Sequence, residues 1–302
     1  MLDIAIIGAG PAGMTAGLYA ARAGLRAALI EKLFPGGQVA TTATVENYPG
    51  FPGGIGGPEL AAKLADHAQE YGLELLYEEV TGLSLDGKVK TLQLGATAIE
   101  ARAVVLCMGA TPRMLGIPSE ARLRGAGVSY CATCDGALFR GKRVAIVGGG
   151  DTAAEDAAYL SPLCAEVLLI HRRDALRAAG ALAERTLALP NLRPIWNTSV
   201  TEILGNAAVE GIALHTAGET RVEPIDAVFI AVGTTPCTES VRGIVALNKQ
   251  GYILAGEDTR TSVPLVYAAG DIREKPLRQI VTAVSDGAVA IHSAQSDLAA
   301  MA

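Results

Sequence analysis

Residues 4–31 read IAIIGAGPAGMTAGLYAARAGLRAALIE, and this segment is the strongest indication of the fold class of the chain. Ile4 to Ile7 form a short apolar run typical of a buried strand, and Met14 to Ala23 follow a helical pattern. Ala27 to Ile30 predict a second strand, which ends in Glu31. A strand, a glycine-rich turn, a helix and a second strand with an acid at its end are the order of a dinucleotide-binding βαβ unit.

The glycine-rich turn of this unit has the spacing Gly8-x-Gly10-x-x-Gly13. Such a turn lets the backbone approach a pyrophosphate, and the N–H groups and dipole at the start of the helix stabilise its charge. A carboxylate at the end of the second strand can accept hydrogen bonds from ribose hydroxyls. We therefore predict a dinucleotide site at Gly8, Gly10, Pro11, Ala12, Gly13 and Glu31. The alternative is a glycine turn with a purely structural role.

A second unit of the same kind begins at Val144-Ala145-Ile146-Val147. The stretch GGGDTA at 148–153 follows, then a predicted helix through about Leu160 and a strand at Val167 to Ile170. The spacing Gly-x-Gly-x-x-Ala repeats the phosphate-binding turn of the first unit. We therefore predict a second dinucleotide site at Gly148, Gly150, Asp151, Thr152 and Ala153.

The second strand of this unit ends in His171-Arg172-Arg173 instead of an acid, with Arg177 one helical turn later. A carboxylate here would repel a 2′-phosphate, whereas arginines bind it through charge-assisted hydrogen bonds. The four residues therefore predict NADPH in preference to NADH. The alternative is the solvated start of a basic helix.

The last 55 or so residues are short for a domain and contain no glycine fingerprint of their own. The simplest arrangement is that these residues complete the first domain. We therefore predict an α/β fold with two Rossmann-like dinucleotide-binding domains, the second inserted into the first. The predicted ranges are 1–113 and 245–302 for the first domain and 114–244 for the second, with linkers near 113–118 and 238–246.

Two dinucleotide sites in one chain suggest that one holds a flavin and the other a nicotinamide. The stretch AAGD at 268–271 supports FAD at the first site, because a strand there delivers an acid that can bind the ribityl chain. The alternative is that Asp271 caps the next helix.

Composition excludes several classes of function. The net charge is -6 and the pI is near 5.3, which does not favour nucleic acid or an anionic membrane as a partner. The uncharged stretch Ile4 to Ala21 is broken by glycines and Pro11, so it does not predict a membrane span. The N-terminus shows no signal-peptide pattern, and we expect a cytoplasmic protein.

Cys131 and Cys134 form the only close pair among the five cysteines. Two cysteines at this spacing can close a small, reducible disulfide, and Asp135 beside them is a candidate acid/base. A helix N-cap is the alternative role for Asp135. The alternative for the pair is zinc, which needs two further ligands, and the four histidines are scattered at His67, His171, His215 and His292. Cys107, Cys164 and Cys237 are isolated and predict small core or half-buried residues.

The stretch GVSYCATCDG at 127–136 resembles the redox motif of low-molecular-weight thioredoxin reductases. Four further stretches resemble motifs of the same family: GGQVATTATVENYPG at 36–50, GGGDTAAEDA at 148–157, HRRDALRA at 171–178 and AAGDIREKPLRQIVTAVSDGAVA at 268–290. The resemblance covers nearly the whole chain.

This resemblance implies FAD and NADPH as cofactors, a thioredoxin-like partner and a homodimer. It also implies that Cys134 is the sulfur nearer the flavin, that Cys131 attacks the partner disulfide, and that Asp135 is the acid. The flavin site that it implies adds Gly37, Gln38, Asn47, Gly109, Gly270, Asp271, Arg278, Gln279 and Ile280.

Three alternative functions remain. A flavin dithiol oxidase that passes electrons to oxygen and a ferredoxin-fed reductase would keep the same fold, and a non-enzymatic nucleotide-binding redox sensor is a different class. The intact motifs at 148–153 and 171–177 argue against the ferredoxin-fed reductase.

Overall fold

The computed structural model describes residues 1–42, 44–178 and 180–301, and the chain divides into two compact units. Unit 1 comprises Met1–Thr111 and Thr235–Ala302, and unit 2 comprises Pro112–Thr234. The middle of the chain is therefore an insertion into unit 1.

The crossings between the units differ from the predicted linkers. The chain returns to unit 1 at Thr235, about ten residues before the predicted boundary at 245. Val241 and Val245 are buried in a core cluster of unit 1 with Leu106, so the linker predicted at 238–246 is wrong. The first crossing, between Thr111 and Pro112, lies within two residues of the predicted boundary at 113/114, and Leu115 and Ile117 of the predicted linker pack against the core of unit 2.

Unit 1 is built on a seven-stranded sheet in the order β5-β2-β1-β8-β7-β6, with β19 also beside β8. The strands of unit 1 are β1 (Leu2–Ile7), β2 (Ala27–Ile30), β3 (Thr44–Val45), β4 (Ile55–Gly56), β5 (Glu74–Leu76), β6 (Val80–Ser84), β7 (Lys90–Leu94), β8 (Thr97–Leu106) and β19 (Val266–Ala268). Strands β5, β2, β1, β8 and β19 are parallel to one another, whereas β7 runs antiparallel to both of its neighbours, β8 and β6. The two remaining strands near the crossings, β9 (Ala110–Pro112) and β18 (Thr234–Pro236), pair with each other.

The helices of unit 1 are α1 (Pro11–Arg22), α2 (Gly57–Glu70) and α7 (Ile280–Ala300), with short 3-10 turns at Gly37–Thr41 and Glu239–Val241. Helices α1 and α7 pack closely because small residues face each other. A Cβ atom on Gly287 of α7 would collide with the carbonyl oxygen of Ala12 in α1. This close contact brings the starts of both helices to the carboxyl edge of the parallel strands.

Unit 2 contains a five-stranded parallel sheet in the order β10-β17-β11-β12-β13. These strands are β10 (Val128–Ser129), β11 (Arg143–Gly148), β12 (Glu166–Ile170), β13 (Leu192–Ile195) and β17 (Ala227–Ala231). A second, antiparallel sheet contains β14 (Thr198–Leu204), β15 (Gly211–Thr216) and β16 (Glu219–Pro224). The helices are α3 (Pro118–Arg122), α4 (Ala132–Asp135), α5 (Asp151–Leu160) and α6 (Gly180–Leu187), with a 3-10 turn at Gly136–Phe139.

Within the described ranges, no helix is both long enough and apolar enough to cross a membrane.

Candidate active and cofactor sites

The glycine turn after β1 is shaped by three glycines with different requirements. Gly8 has a positive φ of 98°, and a Cβ there would lie 2.6 Å from the carbonyl oxygen of Cys107. A Cβ on Gly13 would collide with the carbonyl oxygen of Gly8, so this glycine lets α1 pack against the turn. Gly10, by contrast, faces open space with no heavy atom within 4 Å of a Cβ. The turn therefore leaves room at Gly10 for a ligand to approach the backbone.

Glu31 directly follows β2, beside this turn, which is the position predicted for a ribose-binding acid. Its Oε2 accepts a hydrogen bond from the Ala9 N–H at 2.9 Å, and its Oε1 accepts one from the Leu33 N–H at 3.1 Å. These bonds hold the carboxylate next to the glycine turn.

Asp271 follows β19 at the same edge of the sheet. Its Oδ1 is buried and has no hydrogen-bond partner within the described chain. Burial is the main cause that raises its pKa, and the charges of Lys275 and Arg278 oppose the rise. The alternative role for Asp271 is wrong, because Gln279 caps α7 through a reciprocal capping box with Thr282. A buried acceptor without a partner fits a ligand that brings hydroxyl donors, such as the ribityl chain of FAD.

The other predicted flavin residues lie in the same unit. Gln38 Nε2 donates to the carbonyl oxygen of Ala110 at 2.6 Å, and Asn47 Nδ2 donates to Gln279 Oε1 at 2.9 Å. The guanidinium carbon of Arg278 lies 4.0 Å from the ring centroid of Tyr252. Its Nε is another buried atom without a partner in the described chain, and it could serve a ligand.

The second glycine turn, at Gly148–Gly150, follows β11 in unit 2. The His171 imidazole lies directly over Gly149, since a Cβ on that glycine would overlap the ring. The Arg177 N–H donates to the carbonyl oxygen of Gly149 at 2.6 Å. The structure therefore places His171 and Arg177 against the predicted phosphate-binding turn.

Arg172, Arg173 and Arg177 are exposed, and their side chains form no ion pair with any residue that the structure describes. Burial lowers the pKa of His171, and the charges of Arg177, Arg173 and Arg172 lower it further. The alternative interpretation, the solvated start of a basic helix, is wrong, because α6 begins only at Gly180 and the arginines precede it in a loop. A loop with three available guanidinium groups can close around a phosphate.

Cys131 and Cys134 form a disulfide, with 5.3 Å between their Cα atoms. Cys131 follows β10 and starts α4, which contains Cys134. Strands β10 and β11 are both parallel to β17, which lies between them. The disulfide and the 148–150 turn therefore lie at the same carboxyl edge of one sheet, where α/β proteins place their ligands.

Asp135 is the last residue of α4, and its side chain caps no helix. The Ser129 hydroxyl donates to Asp135 Oδ2 at 2.6 Å. The N–H of Cys131 donates to the same Ser129 oxygen at 3.1 Å. Ser129 therefore connects the candidate acid to the backbone of the redox pair.

Cys107 and Cys164 are buried free thiols and Cys237 is half-buried, which confirms the prediction for the three isolated cysteines. Burial raises the pKa of all three thiols. Within the described residues, no group of three or more histidine, cysteine or acidic side chains could hold a metal ion.

Sequence reasoning missed Ser129, Glu120 and Asp286. Glu120 is fully buried and accepts a hydrogen bond at 2.9 Å from the hydroxyl of Tyr130, the residue before Cys131. Burial and this bond raise the pKa of Tyr130 to about 12, so its hydroxyl remains a donor. The sequence did contain a signal for Asp286, because it is the only charged residue between Gln279 and Ser296.

Comparison with known proteins shows the family of the chain. The family described as pyridine nucleotide-disulphide oxidoreductase matches residues 2–287. The chain is 44% identical to the thioredoxin reductase of Listeria innocua over 97% of this chain and 92% of that protein. It is 44% identical to the Bacillus subtilis thioredoxin reductase over 97% of this chain and 93% of that one. The crystal structure of thioredoxin reductase from Streptococcus pyogenes has a TM-score of 0.94 and 41% identity, over 99% of both chains.

A glycine-rich turn after a strand in each unit and a Cys-x-x-Cys disulfide are the arrangement of a disulfide oxidoreductase, and the chain belongs to the pyridine nucleotide-disulphide oxidoreductase family. Its relatives within that family include the thioredoxin reductases of Listeria innocua, Bacillus subtilis and Streptococcus pyogenes. The predicted α/β fold with two Rossmann-type sheets is confirmed.

Proposed function

We propose that the chain is an NADPH-dependent thioredoxin reductase. Two electrons pass from NADPH through FAD to the Cys131–Cys134 disulfide, and from the resulting dithiol to the disulfide of a thioredoxin. The observation that carries the proposal is the Cys131–Cys134 disulfide, in a chain that is 44% identical to thioredoxin reductases.

Unit 1 is the proposed FAD-binding unit. When bound, FAD supplies a centre that accepts two electrons from NADPH and can release them to a disulfide. The backbone of the Gly8–Gly13 turn binds the pyrophosphate, Glu31 binds the ribose of the adenosine, and Asp271 accepts a hydrogen bond from the ribityl chain. Gly37, Gln38, Asn47, Gly109, Gly270, Arg278, Gln279 and Ile280 complete the site by resemblance to the family.

Unit 2 is the proposed NADPH-binding unit. The turn formed by Gly148, Gly150, Asp151, Thr152 and Ala153 binds the pyrophosphate. His171, Arg172, Arg173 and Arg177 bind the 2′-phosphate. The backbone N–H of Arg177 donates to the carbonyl oxygen of Gly149, and its Nη2 atom lies 4.0 Å from the position of a Cβ on Gly150. These contacts support the assignment, because they keep the guanidinium group close to the phosphate-binding turn.

The proposed chemistry of the cysteines balances two electrons and two protons. Reduction breaks the Cys131–Cys134 bond and yields two thiols. The Cys131 thiolate attacks the thioredoxin disulfide, forming a mixed disulfide and releasing one thioredoxin thiolate. Cys134 then attacks Cys131, which reforms the Cys131–Cys134 disulfide and releases the second thiolate. The Asp135 carboxyl, held by Ser129, delivers and receives the proton at the cysteine sulfur.

Two finer points belong to the same proposal. The chain is a homodimer by resemblance, and the exposed Leu33 and Phe34 are apolar side chains that an interface would cover. It acts in the cytoplasm, where its three free thiols would stay reduced. Sedimentation of the holoenzyme tests the first point, and fractionation of the cells that produce it tests the second.

The direct test mixes the holoenzyme anaerobically with NADPH or with NADH, and follows the visible flavin absorbance and the thiols that become alkylatable. We expect rapid bleaching by NADPH, alkylation of Cys131 and Cys134, and steady turnover only after oxidised thioredoxin is added. A Cys131→Ser, Cys134→Ser variant is the control, which should bleach but not reduce thioredoxin.

Each other outcome identifies a different function. Oxygen consumption without thioredoxin would identify a dithiol oxidase. No bleaching by either nucleotide would favour a ferredoxin-fed reductase. Bleaching without turnover on any thioredoxin would favour a redox sensor.

A further inference from the structure

Two cationic side chains lie near Asp271, but within the described chain neither forms a hydrogen bond or an ion pair with it. Its Oδ1 is buried and has no hydrogen-bond partner in the described chain, although the charges of Lys275 and Arg278 act on it. A buried carboxylate normally pairs with such a cation, because an unpaired buried charge is costly. Some feature of the structure must therefore hold these cations elsewhere.

Asp286 in α7 holds Lys275. Its Oδ2 accepts hydrogen bonds from Lys275 Nζ at 2.7 Å and from Arg273 Nε at 2.8 Å, and its Oδ1 accepts one from Arg273 Nη2 at 2.8 Å. The Oδ2 atom also accepts the N–H of Gly270 at 2.9 Å. These bonds are well shielded from water, since the Asp286 side chain is 8% exposed and that of Lys275 is 5% exposed.

Arg278 packs against the aromatic ring of Tyr252. The guanidinium carbon of Arg278 lies 4.0 Å from the centroid of the buried Tyr252 ring, a cation–π distance. Lys275 is therefore bound to Asp286, and the Arg278 guanidinium lies over the Tyr252 ring with its Nε unpartnered in the described chain. The turn that carries Asp271 is connected to α7 through the Gly270 N–H.

We propose that Asp286 is a positioning residue for the flavin, which binds Lys275 and Gly270 and thereby keeps the Asp271 carboxylate available to the hydroxyls of FAD. The inference rests on the proposed function, because it assigns Asp271 to the flavin site. Without the Asp286 charge, the Lys275 ammonium group would pair with the Asp271 carboxylate and occupy the acceptor that the hydroxyls of FAD need. A substitution at Asp286 should therefore weaken FAD binding, and removing Lys275 as well should restore it.

The experiment titrates the full-length apoprotein with FAD and measures the dissociation constant and the melting temperature of each variant. We expect Asp286→Asn to weaken FAD binding by about tenfold or more. The double variant with Asp286→Asn and Lys275→Met should recover to within about threefold of the unmodified protein. A merely structural role for Asp286 would not produce this recovery.

Asp297→Asn is the matched control. Asp297 also lies in α7 and accepts hydrogen bonds from an arginine, with Arg260 Nη2 at 2.8 Å and Arg260 Nε at 2.9 Å from its two oxygens. Its loss should lower the melting temperature but leave FAD binding within about threefold. The inference would be overturned if the Asp286→Asn variant bound FAD as tightly as the Asp297→Asn variant. It would also be overturned if the double variant bound FAD no better than Asp286→Asn alone.

The single variant Lys275→Met keeps the test decisive if Asp286→Asn does not fold. Arg273 still pairs with Asp286 in this variant, and Asp271 stays available, so FAD should bind within about threefold of the unmodified protein. A loss of about tenfold would mean that Lys275 itself binds FAD, and would contradict the proposed role. A failure of the unmodified apoprotein to bind FAD at all would overturn the proposed function itself.

Discussion

The Ser129 hydroxyl donates a 2.6 Å hydrogen bond to Oδ2 of Asp135, while the same hydroxyl oxygen accepts the N–H of Cys131. The serine at the end of β10 thus orients the candidate acid relative to the redox pair. The arrangement resembles the way in which enzymes hold an acid/base by a third group, so that proton transfer needs no reorganisation.

Removing the Ser129 hydroxyl should slow thiol–disulfide exchange. We expect Ser129→Ala to reduce the rate of dithiol reoxidation by thioredoxin by about fivefold, and Asp135→Asn to reduce it by about a hundredfold. NADPH should bleach the flavin at the normal rate in both variants. Stopped-flow measurement separates these two steps.

Ser161→Ala is the control for this prediction, because Ser161 is also a buried serine of unit 2 whose hydroxyl donates to a side chain, that of Asn191. It should leave both rates unchanged. Equal reoxidation rates in Ser129→Ala and the unmodified enzyme would contradict a role for the serine.

Arg177 should discriminate between the two nicotinamide cofactors. We expect Arg177→Gln to raise the KM for NADPH by about thirtyfold, because one charge-assisted contact to a phosphate is lost. The KM for NADH should change little. The control is Arg185→Gln, an exposed arginine of α6 that donates to the carbonyl oxygen of Ala181. An equal rise in the KM for NADPH and the KM for NADH would indicate that Arg177 contacts the part of the dinucleotide that both cofactors share.

Gly10 and Gly13 should respond differently to the same substitution. Gly13→Ala places a methyl group against the carbonyl oxygen of Gly8, so it should lower the free energy of unfolding by about 3 kcal/mol. Gly10→Ala meets no atom within 4 Å and needs no positive φ, so the apoprotein should keep its stability. Its methyl group would instead obstruct the pyrophosphate and weaken FAD binding. Melting temperatures and FAD content of both variants check this, and an FAD-replete, stable Gly10→Ala would argue against a pyrophosphate at this turn.

Asp156 in α5 should make stability depend on pH. Burial, with a smaller contribution from Glu155, raises its pKa to about 7 in the folded protein from 3.8. The folded state thus binds the proton more tightly, and stability is lost as pH rises from about 4 to about 7. Asp156→Asn should therefore raise the free energy of unfolding by about 2 kcal/mol at pH 8 and leave it unchanged below pH 4.

Denaturant unfolding at a series of pH values measures this difference. Asp66→Asn, at an exposed position of α2, is the control and should show no comparable rise at pH 8. A difference between Asp156→Asn and the unmodified protein that is the same at every pH would mean that the charge of Asp156 is not the cause.

Local sequence determined most of the fold. Each βαβ unit can be predicted from sequence because its strand, glycine turn and helix lie within about 30 residues. Strands and helices also differ in the period of their hydrophobic residues. Gly13 is needed because α1 approaches its own turn, which is also a local requirement. The Cys131–Cys134 pair is equally local, since three residues of separation suffice to close the disulfide.

Packing between distant segments decided the rest. The residues near 241 belong to unit 1 because Val241 and Val245 complete its core, which no local pattern reveals. Arg172, Arg173 and Arg177 lie in a loop because α6 begins only at Gly180, so their charge was readable from sequence but their geometry was not.

The pairing of Asp286 with Lys275, and the resulting availability of Asp271, depends on α7 packing beside the end of β19. The order of residues along the chain is therefore enough to specify which chemical groups the protein carries and which local turns position them. Which charges meet depends on the packing of distant elements, because a buried carboxylate takes its partner from whatever element packs against it.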